Sequence, residues 1–430
     1  MINLTEIEKM NKGWKKDKLK NLCKKIFSGG TPDTRKPEYW GGELNWLSSG
    51  ETRNKFIKNT EKAITQEGVK NSSTRLALKN DLVMACAGQG HTRGQVSICL
   101  IDTYVNQSII TMRTNQKALS QYFLFYYLSS KYQFLRDLSA SNSIRGSITC
   151  PMLGNLDIIH PEIDEQQKIA SILTNYDNLI QNNTKKINLL EKIAKLIYEE
   201  WFVKFKFPGH EKVKFVDSEL GKIPEGWEVK GIIDAEYFDL IRENIKSFDN
   251  KKTYFATADI KGIEFVKDGI NYFYKNKPSR AQKQPVKYSV WFARMKDTYK
   301  VIGFTEVNEP LANNCMISSG FAGFKCSKDL FPFLYYTINS IYFHKEKDRF
   351  ATGATQVSLN NESLSKIKII KPKEEIINSY GNIVLSIINE IFLLQQKNQN
   401  LSKTRDLLLP RLITGKVDVS ELDIQVEVEA

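Results

Sequence analysis

The chain opens without an apolar stretch: Met1 to Lys20 is charged throughout, so no secretory signal is expected. Cysteines are few, at positions 23, 86, 99, 150, 315 and 326, with no closely spaced pair, and only four histidines accompany them. Neither a metal site nor a disulfide framework is expected from such spacing. The most apolar run, Ile383 to Leu394, is broken by Ser386, Asn389 and Glu390, and no membrane partner is expected. Together these shortages suit a reduced, cytoplasmic setting. Catalytic signatures are missing too. There is no (Asn/Asp)-Pro-Pro-(Phe/Tyr) segment for amino-methyl transfer, no Walker A loop for ATP, and no glycine-rich loop opening a helix for S-adenosylmethionine. No serine or cysteine stands in a nucleophile setting. How the plentiful acids group in space is not legible, so the case against a nuclease rests on motifs alone. Binding is favoured over catalysis.

What is present is a repeat. Residues 142–161, NSIRGSITCPMLGNLDIIHP, and residues 353–372, GATQVSLNNESLSKIKIIKP, run in parallel at a constant offset of 211. Beyond each proline an apolar heptad continues at that offset, while the residues before it diverge, and Trp14 and Trp227 are 213 apart. The 430 residues suit two domains of about 150 residues plus connecting elements. The expected divisions are a first head at 1–161, a helical spacer at 162–206, a second head at 207–372, a second spacer at 373–416 and an acidic tail at 417–430. Of the net charge of +13, the heads carry the excess: 23 bases against 13 acids in the first, 26 against 20 in the second. A lysine-rich surface and a phosphate-binding one both fit this balance.

The spacers are clearer. Ile169, Leu173, Tyr176, Ile180, Asn183, Ile187, Leu190, Ala194, Ile197 and Trp201 follow alternating steps of four and three, one seam of a helix. Adding 211 gives Tyr380, Val384, Ile387, Ile391, Leu394, Asn398, Leu401, Arg405, Leu408 and Leu412 in the same phase. A seam about 50 Å long at 1.5 Å per residue needs a partner of similar length. The simplest solution is an intramolecular antiparallel coiled coil, with Asn183 and Asn398 fixing register; separate hairpins or pairing between chains compete with it. The expected architecture is therefore α+β and pseudo two-fold symmetric: two globular heads separated by two long helices, acting as a ruler of one or more DNA turns, about 34 Å each.

In the first head, Asp81–Ala85, Gly88–Gly94 and Gln95–Ile101 read as strand, polar loop, strand. Gln89, His91 and Arg93 on that loop carry groups able to read base edges or hold phosphates; an ordinary hairpin fits as well. Glycines 88, 90 and 94 lack the lysine of a nucleotide loop. In the second head Arg280, Gln282 and Lys283 follow Tyr272, Phe273 and Tyr274, a basic and aromatic mixture suited to nucleic acid or to a solvated edge. At the entry to the repeat, Asn142, Ser143 and Arg145 correspond to Gly353, Ala354 and Gln356, one frame with changed polar groups, as in a reader altered for another sequence or in plain drift of an exposed loop; Thr355 and Gln356 are the candidate contacts there. Thr34 and Arg35 complete the candidate DNA contacts.

Four segments carry a resemblance: SGGTP with PEYWGGELNW (28–46), LLEKIAKLIYEEWFVKF (189–205), ELGKIPEGWEV (219–229) and LLLPRLITGKVDV (407–419). Over essentially its whole length the chain resembles the DNA-specificity subunit of a type I restriction-modification system. The resemblance implies two target-recognition domains, each reading half of a split site in double-stranded DNA, on an antiparallel helical spacer. It implies two modification subunits docked on the helices, and restriction subunits beyond them. S-adenosylmethionine, ATP and Mg belong to those partners; none is expected in this non-catalytic chain. Two departures stand out: KPKEEIINSYGN replaces EQQKIASIL at the second spacer's opening, and the second head lacks a clear GGTP. The competing reading is a coiled-coil adaptor whose basic heads hold an acidic protein partner.

Overall fold

Short, nearly continuous apolar runs bounded by polar turns become buried strands, as in Leu82–Ala85 and Val96–Cys99, where every residue is buried. The computed structural model describes residues 13–87, 90–140, 146–353 and 357–424. It falls into two units, Met1–Ile180 with Asn400–Ala430, and Gln181–Gln399.

In the first unit one sheet runs Cys23–Ser28, Ile109–Thr114, Leu82–Ala85, Val96–Cys99, Phe56–Ile57, and a second runs Lys62–Ile64, Trp40–Leu47, Thr103–Val105, Arg75–Ala77. The second unit repeats the order: Asp239–Leu240, Phe321–Lys325, Ser289–Ala293, Val301–Phe304 in one sheet, and Ile270–Tyr272, Lys252–Phe255, Cys315–Ser318, Ala281–Lys283 in the other. In both second sheets the middle pair is parallel and its neighbours antiparallel. Each unit also pairs a strand that precedes its two sheets with the repeated segment, Lys15–Lys18 with Asp157–His160 and Glu228–Gly231 with Lys368–Lys371. Two heads whose sequences diverge therefore share one plan.

The long helices are α1, Ile163–Tyr198, and α2, Glu374–Leu412, opening 211 residues apart. A proline precedes each opening by two residues, and paired acids, Asp164 with Glu165 and Glu374 with Glu375, meet the positive end of the helix dipole. None of the twenty seam positions is exposed. Ile169, Leu173 and Leu412 join the core of the first unit; Ile187, Ala194, Trp201, Tyr380, Val384, Ile391 and Leu394 join that of the second. The helices run antiparallel within each unit. In the first, Lys168 Nζ donates to the Ser420 carbonyl at 2.6 Å and Asp177 meets Arg405. In the second, Asn183 Nδ2 donates to Asn398 Oδ1 at 2.9 Å and Lys186 pairs with Glu390 at 2.7 Å. The two seam asparagines thus satisfy one another, which is how a polar pair holds register.

The helix openings differ in chemistry more than in place. Gln166 is fully buried and its amide bonds the Ser120 backbone N–H and the Ala118 and Pro161 carbonyls. Its counterpart Ile377 is equally buried in an apolar contact. Gly381 lets α2 approach the Asp329 carbonyl, into which a Cβ would collide. By length and composition α2 would qualify as a membrane span, contrary to the reading of its broken apolar run, yet 44% of its most apolar stretch is buried inside the protein. All six cysteines are free thiols.

Candidate nucleic-acid interface

Three loops meet in the first unit. The strand Cys23–Ser28 leads into the segment 29–36, whose glycines are required by close packing: a Cβ on Gly29 would strike the Val105 carbonyl oxygen, and one on Gly30 the Ser73 hydroxyl. Trp40 and Trp46, in an edge-to-face contact at 5.0 Å, donate to the Asp33 and Gly30 carbonyls. The SGGTP and PEYWGGELNW segments are thereby one structural device that presents an exposed turn. Thr34 and Arg35 lie on it. The Arg35 guanidinium grips Asp33 at 2.9 and 3.1 Å and holds that carboxyl down to about 2.

The second loop spans 86–95. Thr31 bonds the Gln107 side chain, the Gln107 carbonyl faces the Cys86 thiol at 3.8 Å, and Cys86 accepts from the Ile148 N–H at 2.9 Å. Ala87 also bridges Ser147. These links tie the segment that carries the turn at 34–35 to the start of the 86–95 loop at Cys86 and Ala87, and both to Ser147 and Ile148. His91 is exposed, and its carbonyl accepts from Tyr132 Oη at 2.6 Å. Arg93 is half-buried and donates to the Gly146 carbonyl at 3.3 Å, and its buried Nε has no hydrogen-bond partner among the described residues. It braces one loop against the next instead of standing free. Arg136, which sequence reasoning missed, donates to the Gly90 carbonyl at 3.1 Å. Gln89, Asn142, Ser143 and Arg145 lie outside the described residues, as do Thr355 and Gln356.

In the second unit the counterpart of the 86–95 loop follows Ser289–Ala293, at 294–300. Met295 and Thr352 both bridge Ser358, and Arg294 donates to the Leu359 carbonyl at 3.0 Å and to Asn361 at 2.7 Å. Lys347, fully buried, donates to the Met295 carbonyl at 2.7 Å, as Arg136 does to Gly90. Exposed on this loop are Lys296, Asp297 and Tyr299, none chosen from the sequence. The chosen Arg280, Gln282 and Lys283 sit instead on the edge of the second sheet. Arg280 is exposed, whereas Gln282 bonds the Ser279 carbonyl and Lys283 staples the Arg242 and Glu243 carbonyls at 2.9 and 3.2 Å. Burial pushes the Lys283 ammonium below its usual range. The aromatic and basic groups nearby are largely spent on one another, Lys251 on Phe273 at 5.1 Å and Lys277 on Tyr274 at 5.4 Å.

Among the described residues no three His, Cys, Asp or Glu side chains are grouped to hold a metal ion. What the loops offer is hydrogen-bonding and cationic side chains on a rigid two-sheet support.

Residues 11–192 match the type I restriction modification DNA specificity domain. The type I restriction enzyme MjaIX specificity subunit of Methanocaldococcus jannaschii is 28% identical, with 97% of this chain and 96% of that one covered. The HindI specificity subunit of Haemophilus influenzae is 24% identical over 74% of this chain and 82% of its own. The crystal structure of the type I S subunit from M. genitalium shares the fold, with a TM-score of 0.61 at 16% identity and coverage of 96% and 97%. The chain is thus similar in sequence over nearly its whole length to type I restriction-modification specificity subunits, and it shares the fold of one of them.

Proposed function

We propose that each unit reads one half of a bipartite site in double-stranded DNA, and that the paired helices set the gap and dock two modification subunits. The observation that carries this is the loop set built twice on one scaffold with different polar groups: the support is constant and the reading groups vary. Half-sites are recognised by the turn at 34–35, the loop at 86–95 and the repeat entry in the first unit. In the second unit the segments at 294–300 and 353–358 take that part. Arg280 contributes from the sheet edge, while Lys283 and Arg93 act by holding loops in place. Chemistry is left to partners: modification subunits supply S-adenosylmethionine and methylate adenine, restriction subunits supply ATP- and Mg-dependent cleavage, and the assembly works in the cytoplasm. The heads are basic overall, which suits a phosphate backbone, and the adaptor reading gains no observation of its own.

Mapping methylated adenines in the host genome with and without this gene tests the assignment. A gene-dependent motif of two fixed blocks separated by a constant gap is the expected result. An unchanged methylation map would refute the role.

A further inference from the structure

The loops are not the first unit's sole cationic feature. Strand Cys23–Ser28 is an edge of the first sheet and Arg75–Ala77 an edge of the second. Between them lies an open cleft of about 470 Å³ lined by Lys25, Phe27, Arg75 and Arg113, with Ile26 and Leu76. Lys25 stands directly opposite Arg113 in the strand register, a like-charge pairing that destabilises a sheet unless something offsets it. Arg113 has its own partner, gripping the buried carboxylate of Asp81 at 2.6 and 2.9 Å. Lys25 and Arg75 are exposed and, among the described residues, neither joins an ion pair; the Arg75 guanidinium lies 6.0 Å from the Phe27 ring. The cleft therefore keeps two uncompensated positive charges over an aromatic floor.

The second unit shows that the fold does not require this. By strand register Lys25 corresponds to Asp239, Arg113 to Lys325 and Asp81 to Ser289. Asp239 and Lys325 form a salt bridge at 3.7 Å, and Lys283 on the other edge is turned onto backbone carbonyls. The strand-opposed pair there compensates itself, and the remaining ammonium is tied to backbone.

We propose that the cleft holds the sugar-phosphate backbone of the bound duplex, with Lys25 and Arg75 as two phosphate contacts belonging to the first unit alone. This rests on the DNA-reading role proposed above and adds a sequence-independent grip to it. Backbone is favoured over bases because the two cations stand at strand edges of a cleft whose lining adds no amide or hydroxyl side chain beside them, which suits phosphate neutralisation more than a base-specific pattern.

The test uses the full chain assembled with its modification subunits, bound to a duplex carrying the mapped site and to duplexes altered in either half. Each phosphate contact contributes about −0.9 to the slope of log K against log salt. The double variant Lys25→Ala with Arg75→Ala should flatten that slope by about two. Between 50 and 200 mM salt the wild-type complex should then lose roughly tenfold more affinity than the variant, equally on all three duplexes. Lys25→Arg with Arg75→Lys should keep the wild-type slope. Arg113 is left in place because it partners a buried acid. An unchanged slope in the alanine variant overturns the proposal. With normal affinity but aggregation, it leaves the lysine as protection of an open sheet edge; with loss of the modification subunits, it assigns the cleft to a protein. A loss confined to one half-site would make the cleft a base reader and overturn it too. Absence of salt-dependent binding by the wild-type complex would instead overturn the DNA-reading role itself.

Discussion

A chain carrying one extra heptad after Ile187 and another after Leu393 is expected to recognise half-sites about three base pairs further apart than the native chain does. The two positions face each other because the pairing of Asn183 with Asn398 and of Lys186 with Glu390 sets an antiparallel register. Seven helical residues span about 10 Å, and each base pair rises about 3.4 Å. The duplex also turns by about a third of a revolution over three base pairs, so one heptad should cost affinity as the second half-site rotates away. Three heptads, about 31 Å, come close to one DNA turn and should restore affinity with a gap about nine or ten base pairs longer. Methylated-site mapping in cells carrying each chain reads the gap directly. An unchanged gap would remove the ruler.

Replacing Arg405 by alanine is expected to destabilise the first unit by about 3 kcal/mol, because it strands a buried carboxylate. Asp177 is 4% exposed and is held by Arg405, by Tyr126 Oη at 2.9 Å and by Lys55 at 3.4 Å. Lys55 remains in the variant, which sets the loss at the lower end of the range for a broken buried pair. The 211-residue offset supplies the control. At the corresponding places the second unit has Ala194 and Ile388, both buried and apolar. The double variant Asp177→Ile with Arg405→Ala imports that arrangement and should recover most of the stability, since a buried ion pair exchanged for packed apolar groups is often neutral. Urea unfolding of the three chains measures this. A double variant as unstable as the single would show that packing, and not the stranded charge, is responsible.

The stems were legible because a seven-residue period survives drift: any apolar residue at Ile169, Leu173 or Leu412 keeps the seam. In the heads the strand, loop and strand over 81–101 were legible, but the likeness of the two heads was not, because fully buried strands such as Leu82–Ala85 and Ser289–Ala293 carry no alternation, and only their shared ladder shows them to be counterparts. That same gap hid the 294–300 loop, which lies 208 rather than 211 residues from its partner. Asp177 escaped notice since a lone acid between seam positions reads as solvated surface. Arg405 was placed on the seam as if it were an apolar knob, whereas it is there as the partner of that acid. The divisions drawn in chain order also differ from the folded units, each of which takes part of both α1 and α2. Only contacts distant in sequence, such as Lys168 with Ser420, show the chain's last segment with its first.

The account stands on separate reading by two units. Its most direct test is the affinity of the assembled complex for the native duplex and for duplexes altered in one half, measured with Arg93→Ala in the first unit and Gln356→Ala in the second. Losing the Arg93 brace to Gly146 should relax discrimination about tenfold or more in one half and leave the other intact. Gln356→Ala should do the reverse. Equal losses on both halves from either variant would contradict the account.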